Sequence, residues 1–219
     1  MKLLTFDTCL DRTYVALSED GTIIESKIVE NKNEKYHSAF LISTIVNILK
    51  NNNLTMQNID AIGTNIGPGS FTGIRACVTV ARVIAQQLDC PLVGVSSLEI
   101  LSNLNRQSKK TAVMLDARKK QFYLALYDTD GRELLQPQLI NDEKACDYTD
   151  CIIISDEAVQ NFLAQKGVKT TLYKNFSDEI GLILNRLAFE KLKRGDYHWA
   201  KLKPLYLQAP PISKPKVAS

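Results

Sequence analysis

Asp7 to Leu17 reads DTCLDRTYVAL, and Asp116 to Leu126 reads DARKKQFYLAL. Asp7 and Asp116, Tyr14 and Tyr123, Ala16 and Ala125, and Leu17 and Leu126 coincide at one constant offset. An Asp-Gly pair follows each copy, at Asp20-Gly21 and Asp130-Gly131, after a slip of one residue. Each copy is therefore a strand, a polar turn opened by an aspartate, a second strand, and a turn into a third. A repeat that keeps turn order as well as residues marks a duplication.

Around the first copy, Leu3 to Asp7, Arg12 to Ser18 and Thr22 to Val29 read as a three-stranded meander. A polar loop through Asn31 and Asn33 leads to a helix from about His37 to Lys50. Ile59 to Ile66 is an apolar run read as a buried strand, and GPGSFTGIR follows it into a helix over Phe71 to Leu88. Cys90-Pro91 stops that helix, Leu92 to Val95 is a short strand, and Ser97 starts a helix towards Asn105. After the second copy come a strand (Cys151 to Ser155), a helix (Glu157 to Gln165), a strand (Lys169 to Tyr173) and a long helix. Ser177 is its expected cap, with Asp178 and Glu179 in its first turn and Lys191, Lys193 and Arg194 at its end, as the dipole prefers.

Three strands followed by alternating helices and strands, given twice, predict an α/β protein of two similar lobes, 1–106 and 107–209. Residues 210–219 are read as a flexible tail. That order resembles the two-lobed actin-like ATPase fold, a duplicated RNase H-like fold in which nucleotide sits between the lobes.

Composition narrows the classes. The 219 residues are 45% hydrophobic and 23% charged, ordinary for a globular protein, and a net charge of +3 is no argument for nucleic acid. Five cysteines, Cys9, Cys77, Cys90, Cys146 and Cys151, make no CxxC pair and are odd in number, which favours reduced thiols. The N-terminus turns polar too early for a signal peptide and no apolar run has membrane length, so a cytoplasmic protein without membrane contact is expected.

Gly67, Pro68, Gly69, Ser70 and Gly73 place a tight turn at a strand-to-helix junction, with Ser70 available as the cap. Such a helix end suits an anion, and it suits equally a packing corner without ligand. In the first helix Ala39, Leu41, Ile42, Ile45, Val46, Ile48 and Leu49 cover an arc of roughly 180°, wider than the ~100° stripe one sheet requires. The surplus calls for a second packing partner, either a helix of the same chain or another subunit. In the next helix Arg75, Thr79, Arg82 and Gln86 form a polar stripe beside Ala76 and Val83, a solvated face or an arginine-edged seam for a partner helix.

Catalytic equipment is sparse. His37 is followed one turn on by Leu41, so no HxxxH pair exists, and His198 stands beside Trp199. The glycines match neither GxxxxGK nor GxGxxG, and Ser70 lies outside any GxSxG. Asp7 and Asp116 sit where an actin-like fold places nucleotide-site aspartates, but neither following turn contains glycine, so both are treated as vestigial candidates. No metal site is expected. The competing expectation is an active actin-like kinase or ATPase using Asp7 and Asp116, or a peptidase. A third is RNA contact through Arg106, Lys109, Lys110, Arg118, Lys119 and Lys120, although charge runs are usually solvated faces.

FDTCLDRTYVAL, GPGSFTGIR, CPLVGVSSLE and DARKKQFYLALYD resemble the TsaB (YeaZ) family, in an order that runs on to KPLYLQ. The resemblance implies an actin-like noncatalytic subunit in bacterial synthesis of threonylcarbamoyladenosine in transfer RNA, at the adenosine following the anticodon. The partners implied are TsaD, the threonylcarbamoyltransferase that carries the HxxxH metal pair, and the ATPase TsaE, with tRNA bound through the complex. No cofactor of its own is implied; ATP or ADP and metal belong to partner subunits or subunit junctions. A helical bundle of the first lobe would join TsaD, or a second copy, through His37, Phe40, Leu41, Thr44, Ile45, Ile48, Thr72, Arg75, Ala76, Thr79 and Val83. The glycine loop would then set the second helix's angle. Ala76 and Cys77 stand where the family pattern has a glycine and a small residue, which widens the seam.

Overall fold

The computed structural model describes residues 1–30, 37–104, 109–195, 197 and 199–208. The expected loop at Asn31 and Asn33, the end of the helix at Asn105, Arg106, His198 and the 210–219 tail lie outside the described residues.

The first sheet takes β1 (Lys2–Asp7), β2 (Thr13–Glu19), β3 (Thr22–Val29), β4 (Ala61–Asn65) and β5 (Leu92–Val95) in the order β3-β2-β1-β4-β5. The second takes β6 (Thr111–Asp116), β7 (Gln121–Tyr127), β8 (Glu133–Asn141), β9 (Ile152–Ser155) and β10 (Thr171–Leu172) in the equivalent order, β8-β7-β6-β9-β10. In both sheets the first three strands are antiparallel and the rest join in parallel. Pro137 falls within β8, where the missing amide is tolerated because β8 is an edge strand. The duplicated two-lobed α/β fold is the actin-like one.

The helices are α1 (Leu41–Asn51), α2 (Phe71–Leu88), α3 (Ser97–Ser102), α4 (Glu157–Ala164) and α5 (Ser177–Lys193). Side chains alternate along β1, so Leu4 and Phe6 pack with α1 and α2 outside the first sheet while Leu3 joins the core between the sheets. That central core holds α3 and α5, with Val113, Leu115, Ala125 and Tyr127 of the second sheet. Met114, Phe122 and Leu124 face the other way, onto α4. The long α5 comes from the second half of the chain yet packs against β1 to β5, and Asn185 Nδ2 donates to Thr5 Oγ1 at 3.1 Å.

Several expected boundaries move. His37–Phe40 is a 3₁₀ turn and α1 begins only at Leu41, with the Ser43 and Thr44 hydroxyls donating to the Phe40 carbonyl at the junction. Ser177 is the first helical residue of α5 and not its cap; Phe176 holds that place, and Ser177 Oγ donates back to Lys174 O at 2.8 Å. The strand expected over Lys169 to Tyr173 keeps only two residues, Thr171 and Leu172. No helix among the described residues is long and apolar enough to cross a membrane.

Candidate functional site: the glycine loop, the first turn and the outer helices

The glycine loop closes over the turn between β1 and β2. Ser70 caps α2 as expected, accepting from the Gly73 amide at 3.3 Å. The Ser70 amide donates to Cys9 O at 2.8 Å, and Thr8 Oγ1 donates to Gly73 O at 2.9 Å. A Cβ at Gly73 would lie 1.8 Å from Thr8 O, and one at Gly69 would lie 2.3 Å from Cys9 O. Both glycines are therefore required by the close approach of carbonyl groups from the turn after β1. Asn65 Oδ1 fixes the loop's other end, accepting from Gly67 N at 2.8 Å and Ser97 Oγ at 3.0 Å. The junction thus packs closely on the turn after β1.

The two aspartates of the repeat do not occupy equivalent places. Asp7 pairs across the strands with Tyr14, but Tyr123 pairs with Leu115, and Asp116 one residue later pairs with Phe122. Tyr14 belongs to the core between the sheets, Phe122 to the core outside the second. Asp7 is fully buried; its Oδ1 accepts from the Cys9 amide, and burial pushes its carboxyl up to about 6. Asp116 is exposed, accepts from the Arg118 amide at 2.8 Å, and gives its own amide to Asp156 Oδ2 at 2.7 Å. A magnesium-bound nucleotide held between such a pair does not fit these residues, since one carboxylate is sealed beneath its own turn.

The outer helices carry part of the exposed apolar surface, with Ile24 on β3 and Leu134 on β8 exposed elsewhere. Leu41, Thr44, Ile45 and Ile48, expected at an interface, are buried in the chain's own core, with Ile45 1% exposed. They pack on the first sheet, so their side chains lie inside the fold and not on its surface. The surplus of the wide arc is what remains outside: Ile42 at 54% and Val46 at 38% exposed, with Phe40 beside them. On α2, Thr72, Arg75, Thr79 and Val83 are exposed as expected, while Ala76 is half-buried and Cys77 buried. His37 opens the 3₁₀ turn before α1. Phe71, absent from the expected set, is 45% exposed, stacks at 5.5 Å on Tyr206 and lies 5.4 Å beneath the Arg75 guanidinium. A wheel ranks residues by hydrophobicity and so cannot say which part of a wide apolar arc the sheet takes.

Among the described residues, the basic residues of the expected set do not form one patch. Lys109 and Lys110 precede β6 and Arg118 to Lys120 follow it, so they lie at opposite ends of that strand.

The family model of TsaD, tRNA N6-adenosine threonylcarbamoyltransferase, matches residues 22–193. The tRNA threonylcarbamoyladenosine biosynthesis protein TsaB of Bacillus subtilis is 31% identical over 183 residues, 82% of this chain and 76% of that protein. TsaB of Escherichia coli is 29% identical over 155 residues, 65% of each chain. Among solved structures, YeaZ from Pseudomonas aeruginosa superposes with a TM-score of 0.74 at 22% identity, covering 94% of this chain and 99% of that one.

Proposed function

The chain belongs to the TsaB family, and from that membership we propose that it is a noncatalytic subunit that binds and activates TsaD. Its part in the cell is in tRNA threonylcarbamoyladenosine biosynthesis, as the names of its relatives state. The observation that carries the scaffold role is the apolar surface left exposed on the outer elements of the first lobe, Phe40 before α1, Ile42 and Val46 on α1 and Val83 on α2, with Thr72, Arg75 and Thr79 also exposed on α2. Large apolar residues left exposed close together favour burial against another chain. The sealed Asp7 supports the absence of nucleotide chemistry in this subunit. Catalytic metal, ATP or ADP then belong to TsaD, TsaE or their junctions, and tRNA reaches this cytoplasmic chain through the complex. A free second copy would use the same face. Activation requires contacts that differ between the partner's active and inactive states, since equal contacts shift no equilibrium.

The test is co-purification with TsaD from the same genome, followed by threonylcarbamoyl transfer to tRNA with TsaE present. Ile42→Asp with Val83→Asp is expected to abolish both complex and transfer while the chain stays folded. An intact complex with that variant would move the interface elsewhere, and transfer or nucleotide turnover by this chain alone would overturn the noncatalytic role.

A further inference from the structure

Beneath the glycine loop, three side chains far apart in sequence meet. Asp7 ends β1, Cys9 lies in the turn after it, and Cys77 lies in α2. A carboxylate oxygen and the two Sγ atoms lie within 4.8 Å of one another, and all three residues are buried, Asp7 and Cys77 completely. Asp7 Oδ2 makes no hydrogen bond of ordinary geometry, and the Asn65 amide and the Cys9 thiol beside the carboxyl offset only part of the rise that burial causes. An ionised carboxylate sealed from water without a counter-charge is costly, so a fully buried carboxylate with two thiols at its side is a place for a cation.

We propose that Asp7, Cys9 and Cys77 form a buried structural site for a thiophilic divalent cation of the zinc class. The donor set is the kind zinc takes, two thiolates and a carboxylate oxygen. Zn–S bonds of about 2.3 Å put tetrahedral ligands roughly 3.8 Å apart, so the present arrangement closes on an ion with side-chain shifts of about 1 Å. The fourth position falls to the Asn65 carbonyl, 3.5 Å from Cys9 Sγ, or to water. The surroundings are those of a ligand shell. The Thr8 amide donates to Cys77 Sγ at 3.1 Å, Thr8 Oγ1 lies 3.2 Å from the same sulfur, and the Cys9 amide holds Asp7 Oδ1. Binding displaces the two thiol protons to solvent and changes no oxidation state. Because no ligand is reachable from outside, the ion enters as the lobe folds, and it ties the first turn to the helix that carries Thr72, Arg75 and Val83. The site owes nothing to the partner subunit and stands apart from the scaffold role. Its ligands carry no spacing motif, since β1 and α2 are joined only by the fold.

The experiment uses the full chain in a Cys146→Ser, Cys151→Ser background, which removes the two cysteines that are not buried. The protein is unfolded in reductant and chelator, then refolded with cobalt(II) as the spectroscopic probe. One cobalt per chain is expected, with thiolate-to-cobalt charge-transfer absorption that falls by about half in Cys9→Ser and in Cys77→Ser. Asp7→Asn should weaken binding at least tenfold, and zinc should bleach the colour and raise Tm. A folded chain without charge-transfer bands would overturn the site, as would bands that survive the Cys9→Ser, Cys77→Ser double variant. A Cys9–Cys77 disulfide found by mass spectrometry in chain that takes up no metal would do the same.

Discussion

Asp7 faces Tyr14 across the first sheet, whereas Asp116, its partner in the sequence repeat, faces Phe122 because the second turn is one residue shorter in register. The tyrosines, alanines and leucines of the repeat stay on matching faces, since Tyr123 and Ala125 belong with the central core as Tyr14 does. Only the aspartates part company, and with them goes the geometry for clasping a magnesium-nucleotide from both lobes. Isothermal titration of the isolated chain with magnesium-ATP should therefore show no saturable binding, and Asp116→Ala should leave that null result unchanged. A stoichiometric binding isotherm would overturn the argument.

Gly73 has no alternative at its position. Any β-carbon there would sit 1.8 Å from the Thr8 carbonyl oxygen, and that carbonyl is backbone fixed by the Thr8 hydroxyl's bond to Gly73 O. Overpacking against backbone costs at the upper end of the usual range, about 3 kcal/mol. Gly73→Ala is expected to lower the urea midpoint accordingly and to swing α2 enough to weaken any complex made by its outer face. A midpoint within error of wild type would mean that the turn after β1 yields easily.

Ile42 and Ile45 are three positions apart on α1 and should behave oppositely. Ile45 is enclosed by the first sheet's outer core, so Ile45→Ala should cost about 2–5 kcal/mol and Ile45→Asp should unfold the lobe. Ile42 is more than half exposed, so Ile42→Asp should change stability by less than about 0.5 kcal/mol. Denaturation of the two variants, read beside TsaD co-purification, separates a lost interface from a lost fold. An interface inferred through Ile45→Asp alone would confuse them.

Much of the fold was legible because duplication, alternation and turn chemistry are local. The three-strand openings, the Ser70 cap and the stop at Cys90-Pro91 all follow from neighbours a few residues apart. What was not legible depends on approach between distant segments. The close approach of Thr8 and Cys9 to the glycine loop, the docking of α5 on the first sheet and the meeting of Cys9 with Cys77 are tertiary facts. The interface residues fail for a related reason. Hydrophobic periodicity identified an apolar arc too wide for one partner, but the sheet, not the helix, decides that Ile45 is inside and Ile42 outside.

Arg118, Lys119 and Lys120 hold three successive φ angles of 65°, 51° and 57°, a left-handed run without glycine. Each such residue costs roughly 1 kcal/mol relative to glycine. Lys119→Gly is thus expected to raise stability by about 0.5–1 kcal/mol, read from the denaturation midpoint. If this turn also touches tRNA phosphates, alanine at all three positions should flatten the salt dependence of tRNA binding by the assembled complex. An unchanged slope would leave them as solvated charges.

Asp156 caps α4 and carries a charge at partial burial, with opposing consequences for pH. Its Oδ1 accepts from Val159 N at 2.9 Å and its Oδ2 from Asp116 N at 2.7 Å, so both oxygens are used as acceptors. Burial nonetheless outweighs these bonds and raises its carboxyl above the ordinary 3.8, with the Asp116 charge adding to the rise. A folded-state carboxyl raised above its unfolded value binds more protons in the folded chain. Its contribution to stability therefore grows as pH falls through the folded value towards 3.8, and shrinks as pH rises through the same window. Asp156→Asn removes that dependence but turns an amide donor on one of the two backbone amides, at a cost of about 1–3 kcal/mol at neutral pH. Urea denaturation of both proteins from pH 4 to 7 should show the difference between them narrowest at the neutral end, where the wild-type charge is fully formed and buried. A difference that instead narrows towards acid would mean that hydrogen bonding, not burial, governs Asp156.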